Sequence, residues 1–161
     1  MEGWTDFYVA EVGGAAALAG LLVVAISINV AKIMSFPHLP GRAAQTLVVV
    51  GGSLVLSSLA LFPGQPLFVF GGEALIVGAL VGVSGLFQYY SARRVRKLGD
   101  PLVWIVAPLV TTAIFAIPEI IGGALLVAGE ASGLYWIATG IILSFLASLQ
   151  NGWVLLIEIL R

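Results

Sequence analysis

Glu119 is the residue best placed to do chemistry, in the run Ile117-Pro118-Glu119-Ile120. A carboxyl group in the middle of a long apolar segment is expensive. It must face protein or water, and its cost falls when it is protonated or paired. Pro118 deprives the Ile114 carbonyl of its helical partner and is expected to kink the segment. Thr112, Phe115, Glu119, Gly122 and Gly123 fall on one helical face. An acid beside a proline hinge and a small-residue surface reads as a proton or cation site, or as the hinge of a gate. The plainer alternative is a structural carboxyl that hydrogen-bonds a neighbouring helix.

A second stripe runs through Gly140, Ser144, Ser148, Asn151 and Glu158, with Gln150 off it. It could line an aqueous path, with Thr112, Ser144, Ser148 and Asn151 joining Glu119 as ion-site candidates. It could equally be polar glue between helices, worth about 1 kcal/mol per hydrogen bond. Asn29 and Lys32 share a face, and a Lys32–Glu158 ion pair is geometrically feasible. Snorkelling of Lys32 to the interface is the simpler reading. Glu11, Glu73 and Glu130 could form an acidic outer mouth that concentrates cations, although isolated interfacial acids need no such role.

Most enzymatic chemistry lacks its usual residues. There is no cysteine, and the single His38 falls in a predicted loop. Thiolate nucleophiles, disulfides and a multi-histidine metal site within one chain are therefore excluded. No phosphate-binding glycine loop, zinc-protease motif or nucleophile elbow occurs. The expectation is a non-enzyme with no metal and no cofactor. A distant alternative, an intramembrane lipid enzyme, needs a lipid-sized cavity beside Glu119 or Asn151.

These residues must be positioned by elements that live in lipid. Of 161 residues, 60% are hydrophobic and 9% charged, too few charges to cover a soluble surface. The fold expected is all-α: a single transmembrane domain, a polytopic helical bundle of five spans at about 7–33, 43–62, 68–92, 101–127 and 133–160. At about 20 residues per span, this leaves no room for a soluble domain. Glu2 and Asp6 stand where a cleaved leader would be basic, so the first segment is read as a permanent span.

With five alternating spans, Lys32, Arg42, Arg93, Arg94, Arg96, Lys97 and Arg161 all fall on one side. The positive-inside rule makes that side cytoplasmic, with the N-terminus outside and the C-terminus inside. Trp4, Phe7, Tyr8, Phe68, Phe70, Tyr135 and Trp136 are expected in an outer aromatic belt, and Tyr89, Tyr90 and Trp104 in an inner one. The Arg93, Arg94, Arg96, Lys97 cluster is a topology determinant that can also touch lipid headgroups. Net charge is −1, so nucleic acid is not expected as a partner.

Helices associate in lipid through small residues. Gly78, Gly82 and Gly85 supply such a face in the third span, as do Gly13, Ala17 and Gly20 in the first. At least one of these faces is expected to serve self-association into a homo-oligomer.

The run GAAALAGLLVVAISIN (residues 14–29), Leu39-Pro40-Gly41-Arg42-Ala43, Pro63-Gly64-Gln65 and the closing NGWVLLIEI (residues 151–159) resemble a family of small bacterial integral membrane proteins of unknown function. Members are sometimes labelled modulators of a membrane-anchored AAA protease. The resemblance implies a multi-pass protein of the bacterial cytoplasmic membrane, with a membrane protein as a possible partner. Two readings follow. One is a self-associating, channel-like or ion-handling bundle. The other is a non-conducting interaction protein or regulator.

Overall fold

The computed structural model describes residues 3–36, 39–95 and 101–156; the side chains of residues 95 and 103–105 also fall outside the description. The described chain is all helical, with α1 (Thr5–Ile28), α2 (Val30–Met34), α3 (Leu39–Leu59), α4 (Leu67–Val95), α5 (Val103–Val127) and α6 (Gly133–Leu156). Five of these, all but α2, are long and apolar enough to cross a membrane. This is a multi-pass membrane protein. His38, Arg96, Lys97, Glu158, Arg161, Glu2 and the Trp104 side chain lie outside the described residues, and with them the Lys32–Glu158 pair.

The helices alternate in direction. α3 is central and touches α1, α4, α5 and α6, while those four form an arc in the order α1, α6, α5, α4 around it. Its position explains its composition. α3 is the least apolar span, yet Gln45, Thr46, Ser53 and Ser57 on it are all 1% exposed or less. A polar side chain in lipid is costly unless protein surrounds it, so the span richest in polar groups sits where other helices enclose it. Hydroxyls that do face outward bond their own helix: Ser27 donates to the Val23 carbonyl at 2.7 Å, Ser58 to Leu54 at 2.8 Å and Thr139 to Tyr135 at 2.7 Å.

Two boundaries differ from the sequence reading. The first span breaks at Asn29, whose backbone (φ −102°, ψ 11°) leaves the helix; its side chain donates to the Leu155 carbonyl at 3.2 Å. Lys32 therefore belongs to the short α2, is exposed, and sits 5.7 Å from the Phe36 ring centroid. α3 starts at Leu39 and not near residue 43. Pro40 falls in its first turn, where a missing N–H costs little. Arg42 is thereby moved from a loop into a helix.

The glycine faces separate into two kinds. Those of α4 and α5 face each other, and α4 packs most extensively on α5. A Cβ added at Gly71 would lie 2.8 Å from the Gly123 carbonyl oxygen; one at Gly78, 3.0 Å from Glu119 Cβ; and one at Gly85, 2.5 Å from the Thr112 side chain. A Cβ at Gly82 would make an ordinary 3.7 Å contact with Ala116. On α1, by contrast, no described residue lies within 4 Å of such a Cβ at Gly13 or Gly20, and Ala17 is exposed.

Candidate functional site

Glu119 sits on α5 with its side chain fully buried. It is held by the approach of three helices. Gly78 of α4 lets Glu119 Cβ come close, and Gly140 of α6 leaves room for Oε1, which would lie 2.7 Å from a Cβ at that position. Neither carboxyl oxygen has a hydrogen-bond partner among the described residues. Most buried polar atoms in folded proteins have one, so the pair is an exception that calls for an explanation. α5 remains helical through both Pro108 and Pro118.

Tyr8 is buried toward the end of the bundle that carries Glu73 and Glu130. Both Glu119 and Glu11 lie within electrostatic reach of its hydroxyl. That hydroxyl and Glu11 Oε2 also lack partners among the described residues. Tyr8 and Phe70 are 0% exposed and stack edge-on at 5.9 Å. They belong to the core and not to an interfacial belt, because α1 and α4 converge there. Tyr135, Trp136 and Phe68 are exposed, as a belt requires. Gln65 Nε2 donates to Glu73 at 2.6 Å, and Glu130 is exposed in the α5–α6 turn. Among the described residues, no three acids or histidines gather into a group able to hold a metal ion.

Toward the basic end, α6 turns Gly140, Ser144, Ser148 and Asn151 inward. Ser144 and Ser53 share a hydrogen bond of 2.7 Å. The Ser148 hydroxyl is buried without a partner among the described residues, as is that of Ser57. Asn151 donates to Thr111 at 3.2 Å and accepts from Arg42 Nε at 3.0 Å and from an Arg42 terminal nitrogen at 2.7 Å. Beside this chain lies a second knot. Gln45 Nε2 donates to Thr112 at 2.6 Å, Ser84 bonds Gln45 at 3.2 Å, and Gln88 donates to Gln45 Oε1 at 3.2 Å. The Phe115 ring, fully buried, lies one turn from both Thr112 and Glu119 on the same helix. Arg93 and Arg94 end α4 and are exposed, with Arg93 5.7 Å from the Tyr89 ring.

The interior carries polar groups at three levels among apolar side chains: Glu119, Tyr8 and the part-buried Glu11 at one, Ser53, Ser57, Ser144 and Ser148 in the middle, and Asn151, Thr111 and Arg42 toward the basic end. Glu119, Thr112, the α6 stripe and the small-residue face Gly52, Ser53, Ser57 and Ser58 are legible in the sequence; what it conceals is that Arg42 and Gln45 continue that face at helical spacing.

Comparison with protein-family models, with curated proteins and with solved structures finds no match to this chain.

Proposed function

We propose that this membrane protein is a self-associating, non-enzymatic bundle that handles protons or small cations, with Glu119 as the intramembrane site. The observation that carries the reading is the Glu119 carboxyl, enclosed by α4, α5 and α6 with neither oxygen hydrogen-bonded by a described residue. A purely structural acid would be expected to bond a neighbouring helix. Instead, Gly140 stands where a larger residue would crowd the carboxyl, and Gly78 where one would crowd the Glu119 Cβ. The route for a proton or a partly dehydrated cation would use the polar groups on either side, Tyr8 and Glu11 toward one end and the serines and Asn151 toward the other.

The test is flux. In vesicles holding the purified protein, an imposed proton or cation gradient should relax faster than in empty vesicles, and Glu119→Gln should abolish the difference. Equal flux for both proteins, or none for either, rejects the reading.

A second reading is favoured by α1, where no described residue covers Gly13, Ala17 and Gly20. Such a face suits another transmembrane helix. The partner would be a second copy in the ion-handling reading. In the non-conducting reading it would be a different membrane protein, such as the membrane protease that the sequence resemblance suggests. Mild-detergent pull-down that recovers only the chain itself counts against the non-conducting alternative.

A further inference from the structure

Glu119 is the one ionisable residue of α5. The described part of α6 adds only Tyr135, which is exposed. On α4 the nearest ionisable residue to Gly78 is Glu73, more than a turn away and bonded by Gln65. On α3 the only charge, Arg42, lies toward the basic end. α1 brings titratable groups toward the carboxyl: the Tyr8 hydroxyl, within electrostatic reach of Glu119, and Glu11.

The walls of the enclosure are carbon. One turn either way from Glu119 on α5 stand Phe115, Ala116, Gly122 and Gly123. Ala74 and Val81 flank Gly78 on α4, and Ile137 and Ser144 flank Gly140 on α6. The Ser144 hydroxyl is already engaged, by Ser53 at 2.7 Å and by the Ile141 carbonyl at 2.6 Å. Gly140 stands directly against the carboxyl: a Cβ there would lie 2.7 Å from Oε1 and 3.0 Å from the Pro118 ring. Helical carbonyls are held by their own helices, and Pro118 frees one, that of Ile114.

This inventory discriminates between ions. Hard cations take about six or more oxygen ligands. The two oxygens of Glu119, with the Tyr8 hydroxyl, Glu11 Oε2 and the Ile114 carbonyl added, do not reach that number. A proton needs a single lone pair. Building on the ion-handling reading, we infer that the species bound and released at Glu119 is the proton and not a metal cation. Uptake turns the carboxylate into a neutral acid, the form that an apolar enclosure tolerates. Release restores the carboxylate, so each cycle moves a proton on and off one oxygen and needs no other ion.

Vesicles holding the purified protein, in N-methylglucamine buffer free of sodium and potassium and with thiocyanate as permeant counter-ion, test this. A trapped dye follows proton entry after a pH step, and radioactive sodium or rubidium follows cation entry at equal pH. Proton entry should exceed that of empty vesicles, be lost in Glu119→Gln, and be unchanged when sodium or potassium is added to both sides. Cation entry should match that of empty vesicles. Sodium or rubidium entry through the native protein, or proton entry that requires either metal, overturns the inference and leaves the ion-handling reading standing. No entry of any ion, or proton entry equal in Glu119→Gln, overturns both. If Glu119→Gln fails to fold, the proton and cation arms on the native protein decide alone.

Discussion

A buried carboxyl without a hydrogen-bond partner costs stability, and this sets the first expectation for Glu119. Glu119→Met keeps the length of the side chain and removes the unsatisfied oxygens. It should raise the protein's stability in detergent by about 1–3 kcal/mol, read as a higher unfolding temperature, while eliminating flux. A fall in stability would mean that the carboxyl is held by something it bonds. Gln45 should behave in the opposite way. It joins Thr112, Ser84 and Gln88, and Gln45→Leu should destabilise by about 2 kcal/mol, given about 0.6 kcal/mol or more per bond in a membrane interior.

The two residues were not equally legible. Glu119 stands out in sequence because an acid in an apolar run has few explanations. Arg42 did not, because Leu39-Pro40-Gly41-Arg42 reads as a turn, and only the helix that absorbs Pro40 into its first turn brings it inside. Gln45 lies within the expected 43–62 span, but a single amide near a span end does not show which way it faces.

At the scale of the helix, the glycines of α4 do different work despite their shared spacing. Gly85→Ala would drive a methyl into Thr112, and Gly71→Ala into the α5 backbone. Each should cost about 1–3 kcal/mol as overpacking. Gly82→Ala meets only an ordinary contact and should be neutral or stabilising by up to about 1 kcal/mol. Thermal unfolding of the three variants checks the order. On α1 the expectation concerns assembly. Gly20→Leu fills open space, so monomer stability should hold while the proposed oligomer, followed by light scattering, should dissociate. An unchanged oligomer would exclude this face from self-association. Spacing alone identified both glycine faces. It could not say which was already occupied, because that depends on α4 lying against α5 and α1 standing at the end of the arc.

For the whole molecule, five apolar spans were readable from composition and from the breaks at Pro63-Gly64-Gln65-Pro66 and Gly129-Glu130. The central place of α3 was not read, although its polar content has a physical logic: the span that lipid tolerates least is the one the others surround. Orientation rests on charge. The chain contains no cysteine, so single cysteines report position cleanly. In intact cells Ser132→Cys, in the α5–α6 turn, should react with an impermeant thiol reagent, and Ser91→Cys, near the basic end of α4, should react only after the membrane is opened. The reverse pattern would invert the bundle, and labelling of both sites in intact cells would contradict a five-span topology.

The central claim is that Glu119, buried as it is, exchanges with the outside in the working protein. Dicyclohexylcarbodiimide, an apolar reagent that adds covalently to carboxyl groups within membranes, tests it directly when adduct and flux are followed in the same vesicles. The expected adduct maps to Glu119, is absent from Glu119→Gln, and grows in step with the loss of flux. A Glu119 that stays unmodified while flux persists, or one fully modified with flux unchanged, would contradict it.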